Sequence, residues 1–137
     1  MNKKFNKGFT LLEVMISVFV LSIGLLGLAG LQLTSLKHGH SAFLRSQATL
    51  HAYSILDDIR ANQVNIADYA IALSATSSGQ AGLAKNDVDA WLANLGNELP
   101  SGDGSVVVAA RRVTVNVQWS DRDSASTTKT FTVISDI

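Results

Sequence analysis

Few residues of this chain have the type and spacing that chemistry requires. His38, His40 and His51 are the three histidines. On a helix His38 and His40 point about 200° apart, and His40 and His51 share a face but lie roughly 16 Å apart, so they cannot share a metal ion. They read as surface or interface residues. Asp57 and Asp58 are adjacent and diverge on a helix, which makes a poor acid/base pair; beside Arg60 they read as a solvated face. Gly24, Gly27 and Gly30 have no Lys or Thr to complete a phosphate loop. Arg111-Arg112 lacks an aromatic platform for single-stranded nucleic acid and reads as hairpin charge. Trp91 and Trp119 read as core. Cysteine is absent, which excludes a disulfide framework, a thiolate zinc site and a cysteine nucleophile. No serine has a nucleophile context. The expectation is a non-enzyme with no cofactor, no metal and no nucleic-acid partner.

Glu13 is different. It is the only charged residue between Lys7 and Lys37, and residues 14–36 carry no charge over 23 positions. The chain has 11 basic and 11 acidic side chains in 137 residues, so the bulk balance excludes a polybasic binder. The placement matters more than the balance. Residues 9–36 hold 18 apolar side chains in 28. A helix from Phe9 to Leu31 is about 35 Å long, enough to cross a hydrocarbon core of about 30 Å. Lys3, Lys4 and Lys7 precede it without an acid, so the positive-inside rule puts residues 1–8 in the cytoplasm and everything after Leu36 outside.

Three readings of this segment compete: a plain single-pass anchor, a secretory signal cut at Gly27-Leu28-Ala29 to begin at Gly30, and a retained anchor whose short leader is removed. Glu13 favours the third. A carboxylate near the edge of an apolar helix is costly to bury and is usually kept for a partner.

The junction Lys7-Gly8-Phe9-Thr10-Leu11-Leu12-Glu13 resembles the class III leader of type IV prepilins and of type II secretion pseudopilins. Gly8, Phe9 and Glu13 match that pattern position by position. The resemblance implies cleavage between Gly8 and Phe9 by a prepilin peptidase, N-methylation of Phe9, and retention of the apolar stretch. Cleavage would create a cationic amine at Phe9. Phe9 and Glu13 are i and i+4, on one face if both are helical. In a filament core the amine of one subunit could neutralise Glu13 of its neighbour, and an unpaired carboxylate there would penalise wrong registers. Removal of the leader lysines leaves 8 basic side chains against 11 acidic.

The elements that must carry this junction follow from periodicity. Leu33, Leu36, Phe43, Leu44, Leu50, Tyr53, Leu56 and Ile59 continue at helical spacing, so the anchor grows into an amphipathic helix reaching about Asn62. Gly24, Gly27, Gly30 and Gly39 interrupt it and permit close helix contacts in lipid, or local bending. Residues 63–85 read as a loop with one helical turn near Ile66–Leu73. Val88, Trp91, Leu92, Leu95 and Leu99 mark a helix over residues 86–99, capped by Asn86 or Asp87 and stopped by Pro100. Ser101-Gly102-Asp103-Gly104 reads as a turn. Then the period becomes two. Val113, Val115, Val117 and Trp119 alternate with polar residues, Phe131 and Val133 mark a strand in 128–135, and Ser105–Ala110 is a third strand, together an antiparallel meander within 105–135. Such a sheet needs a cover, and the long helix and the Trp91 helix are available.

A second resemblance spans most of the chain except residues 63–85. The run from Ser22 to Gln32, Asp57-Asp58-Ile59-Arg60-Ala61-Asn62, Asp89-Ala90-Trp91-Leu92, Leu99-Pro100-Ser101-Gly102 and Val117-Gln118-Trp119-Ser120-Asp121 are similar to PilV-type minor pilins, the type IV pilus modification proteins. Many major pilins carry a proline in the anchor and many pin their C-terminal region with a disulfide; this chain does neither. The expected fold is α+β and pilin-like: a cleaved leader (1–8), a transmembrane or filament-core helix (9–36), and a periplasmic head (37–137) in which the helix continues to 62 against a small antiparallel sheet. The resemblance implies a structural subunit in initiation and assembly of type IV pili, and so in motility or adhesion. It would be single-pass in the bacterial inner membrane and later part of the extracellular filament. Its implied partners are the prepilin peptidase, other minor pilins and the major pilin through the N-terminal helix, and the inner-membrane assembly platform. The alternatives are a minor pseudopilin of type II secretion and a secreted or anchored periplasmic domain of unrelated activity.

Overall fold

The computed structural model describes residues 8–76, 82–121 and 128–137. The leader lysines Lys3, Lys4 and Lys7 lie outside the described residues, as do 77–81 and 122–127. Helix α1 runs Leu11–Ala61, and its C-terminal end lies within one residue of the expected one. Three hydroxyls of its apolar stretch bond back to the helix: Ser17, Ser22 and Thr34 donate to the carbonyls of Glu13, Val18 and Gly30, four residues earlier. That arrangement suits a segment without water. The described glycines of this stretch remain helical.

The chain divides into two compact units, Met1–Gly39 and His40–Ile137. In the first, every residue from Gly8 to Gly39 is exposed. In the second, α1 turns Leu44, Ala48, His51, Ala52, Ile55, Leu56 and Ile59 inward, the i, i+4, i+7, i+8 stripe of a helix with one buried face. Three strands follow in a meander of order β1-β2-β3: β1 Asp103–Ala109, β2 Arg112–Ser120 and β3 Thr128–Asp136. Both pairings are antiparallel, with Val106 opposite Val115 and Val115 opposite Val133. Val113, Val115, Val117 and Trp119 are buried, while Phe131 and Val133 are half-buried on the same face. The strands, the inward stripe of α1 and helix α2 (Gly82–Glu98) share one apolar core. This is the pilin-like α+β layout: a long N-terminal apolar helix, a second shorter helix and a small antiparallel sheet.

Several boundaries differ from the sequence reading. Helix α2 begins at Gly82, four residues before Asn86, so neither Asn86 nor Asp87 caps it. Its inward stripe is Ala84, Val88, Trp91 and Leu95. Ala84 extends the period by one turn but is too small to stand out in a hydropathy pattern. The turn near Ile66–Leu73 is a 3-10 helix over Gln63–Tyr69, followed by a single β-bridge from Ile71 to Val106. Strand β1 starts at Asp103, inside the expected turn. The reversal occupies the first part of that turn, where Ser101 takes a left-handed φ of 52°. Gly104 then passes so close to α2 that a Cβ there would overlap the Trp91 ring and the Leu95 side chain. A Cβ on Gly102 would overlap the Leu95 carbonyl. These two glycines let β1 lie against α2.

The C-terminal strand is held by more than packing. Arg112 Nε donates to Asp136 at 3.0 Å, Arg111 Nε donates to the Ile137 carbonyl at 2.6 Å, and the Ile137 amide donates to the Arg111 carbonyl at 2.8 Å. The two arginines thus close the β1–β2 turn onto the end of β3, the hairpin role expected of them.

Candidate functional site

The junction lies at the start of α1. Gly8, Phe9 and Thr10 are non-helical and exposed, with Phe9 at 84% exposure. Thr10 is the residue on which the helix begins. Its carbonyl accepts from the amides of Glu13 (3.1 Å) and Val14 (3.3 Å), and its Oγ1 accepts from the Glu13 amide at 3.3 Å. This is N-cap geometry, and Glu13 sits three residues on, in the first turn, where the helix dipole favours a carboxylate. Phe9 therefore precedes the cap and is not part of the helix, which corrects the expectation that Phe9 and Glu13 share a helical face as i and i+4. The Thr-x-x-Glu spacing of a capping box was the available signal.

Behind this junction stretches an unburied apolar surface. From Val14 to Leu36 there is no charge, and Met15, Phe19, Leu21, Leu26 and Leu31 are each more than three-fifths exposed. Fully burying one such side chain is worth about 1.5–3 kcal/mol, so the stretch is stable only against lipid or other apolar chains. Helix α1 is long and apolar enough to cross a membrane. No group of three or more His, Asp or Glu that could hold a metal ion occurs among the described residues.

The head carries two polar arrangements that spacing did not reveal. His51 is buried at 7% exposure, not on the surface, and its Nε2 lies 3.0 Å from Glu98 Oε2. The backbone carbonyl of His51 accepts from Trp91 Nε1 at 3.0 Å, so one residue of α1 fixes two of α2. Near the end of α1, Tyr69 donates its hydroxyl proton to Asp87 at 2.6 Å and accepts from Asn62 Nδ2 at 3.3 Å. Burial, and then the hydrogen bond to Asp87, push the Tyr69 phenol up to about 12. Burial raises the Asp58 carboxyl above its ordinary value, and the nearby charges of Asp87 and Asp57 raise it further. Arg60 pairs with Asp57 at 2.8 Å as expected, and its other guanidinium nitrogen reaches Ser135 on β3 at 3.0 Å. These contacts tie head elements together; none of them forms a catalytic constellation.

Residues 3–29 match the family model described as the prokaryotic N-terminal methylation motif. The matched span contains Gly8, Phe9, Glu13 and most of the apolar stretch. No curated protein and no solved structure matches the chain. The motif and the α+β layout together support a type IV pilin-like protein carrying a prepilin-type N-terminus, with the processing by a prepilin peptidase that such a motif implies.

Proposed function

We propose that the chain is a minor type IV pilin of the PilV type, a structural subunit that helps initiate and assemble type IV pili. The observation that carries this reading is the coincidence at one junction of the methylation motif, a non-helical and exposed Gly8–Phe9 peptide, and an exposed apolar helical stretch that carries no charge from Val14 to Leu36. A secretory signal would discard that helix; a pilin uses it twice, first in lipid and then among neighbouring helices.

In this reading the leader 1–8, with Lys3, Lys4 and Lys7, stays at the cytoplasmic face and residues 37–137 form the periplasmic head. Hydrolysis adds water across the Gly8–Phe9 bond, leaving a carboxylate on Gly8 and an ammonium on Phe9, which is then N-methylated. The new cation stands one residue outside the cap of α1, and Glu13 offers the one acid of the anchor to the amine of a neighbouring subunit. The partners are the prepilin peptidase, the other minor pilins and the major pilin, and the inner-membrane assembly platform.

Deletion tests the assignment. Loss of surface pili and twitching motility with type II secretion intact is the expected result. Loss of secretion with normal pili would assign the chain to the pseudopilins instead.

A further inference from the structure

We propose that Thr10 is a positioning residue for leader removal: by capping α1 it holds the Gly8–Phe9 peptide bond outside the helix, in the form a peptidase can cut. The inference rests on the reading of Gly8–Phe9 as the processed bond, and it assigns a role to a residue between the cut and Glu13.

Among the described residues, Thr10 O is the first carbonyl to accept a helical hydrogen bond, and the carbonyls of Gly8 and Phe9 accept none. The Thr10 Oγ1 contact to the Glu13 amide fixes that starting point. If the helix began earlier, the Gly8 carbonyl would accept from the amide of Leu12, four residues on. That bond would occupy the oxygen on which negative charge develops when water attacks the Gly8 carbonyl carbon, and oxyanion donors could not reach it. It would also deny the peptidase an extended strand to bind.

An earlier start is available to this sequence. Asn6 and Gly8 are both residue types that cap helices. A cap at Asn6 would place Lys7, Gly8 and Phe9 in the first turn; a cap at Gly8 would make Phe9 the first helical residue. The Thr10 hydroxyl competes with these starts. Among the described residues nothing lies within 4 Å of a Cβ built on Gly8, whereas the Thr10 side chain does contact the first turn through the Glu13 amide.

The test uses the full-length precursor in detergent micelles with a prepilin peptidase, following the appearance of chains that begin at Phe9. Thr10→Val keeps the shape and removes the acceptor. It should be cut about fivefold more slowly, the fold-change that about 1 kcal/mol of lost capping converts to at 1.36 kcal/mol per decade. Thr10→Ser and Thr10→Asn restore an acceptor in two different shapes and should be cut within about twofold of the unsubstituted chain. Amide exchange should slow at Leu12 in Thr10→Val alone, because its amide would then donate to the Gly8 carbonyl. A Thr10→Val rate equal to that of the unsubstituted chain overturns the positioning role. So does rescue by Ser but not by Asn, which would mean that the peptidase reads the hydroxyl itself. Failure to cut the unsubstituted chain at Gly8–Phe9 would overturn the processing reading as well, whatever the variants do.

Discussion

Leu12, Met15, Phe19 and Leu26 in the first part of α1 are all more than three-fifths exposed, whereas Ala48, Ala52, Ile55 and Ile59 in its second part are fully buried. Backbone geometry is helical through both stretches. What differs is the supply of partners. In the head, two strands of valines and the α2 stripe meet the helix, and small residues at 48 and 52 face inward with the larger Ile55, Leu56 and Ile59. The anchor has glycines at 24, 27 and 30, and nothing lies within 4 Å of where their Cβ atoms would be. Small residues on a buried face record packing already achieved. Small residues on a bare apolar helix are room for packing still to come.

The sharpest way to break this contrast is to remove the anchor's acid. Glu13→Ala should be cleaved and inserted normally, yet fall about tenfold or more in incorporation into pili, measured by immunoblot of sheared filaments. The acid's proposed role is played against a neighbour, where an unpaired charge costs several kcal/mol. Normal incorporation would remove the pairing role of Glu13. The head should be indifferent to this change, with its melting unaltered.

Next in size comes a change confined to the head. Gly104→Ala puts a methyl group into the Trp91 ring, which cannot retreat without losing its hydrogen bond to the His51 carbonyl. Overpacking of this kind costs about 1–3 kcal/mol, and we expect the upper end, read as a fall in the head's denaturation midpoint. Gly24→Ala in the anchor, with no neighbour to meet, should leave that midpoint unchanged. Equal effects at the two glycines would erase the distinction between packed and unpacked small residues.

Trp91→Phe should cost about 1 kcal/mol, since it removes the indole donor to the His51 carbonyl, which then keeps only its bond within α1. The pH dependence at Tyr69 has a definite sign. The folded phenol keeps its proton to about 12 while the unfolded one ionises near 10. The folded state therefore holds more protons in that window, and stability falls as pH rises from 10 to 12. Tyr69→Phe should flatten that limb of the stability curve. The smallest effect is at Asp58. Its raised carboxyl means that ionisation opposes folding, so stability declines as pH rises through its folded value. Asp58→Asn should raise the denaturation midpoint slightly at neutral pH, the effect being small because the group is only half-buried.

Much of the fold was legible because its signals are periodic. The charge-free run, the alternation from Val113 to Trp119 and the stripe from Val88 to Leu95 each repeat often enough to fix an element. The misses fall where one residue decides. The small Ala84 hid the first turn of α2, and β1 took up Asp103 and Gly104 from the second half of the expected turn. His51 was invisible as a buried residue because its partner, Glu98, lies 47 positions away on another helix. At the junction, Gly8, Phe9 and Glu13 were legible as a motif, but the frame of the helix was not. It depends on which of several polar side chains captures an amide, and Thr10 does so.

The fate of the first residues decides whether the apolar helix is kept as a pilin anchor, and one N-terminal mass measurement of the chain recovered from membranes or sheared pili reads it directly. A mature chain beginning at N-methylated Phe9 is the predicted result. A chain beginning at Gly30, or one still carrying Met1 in cells with an active prepilin peptidase, would contradict it.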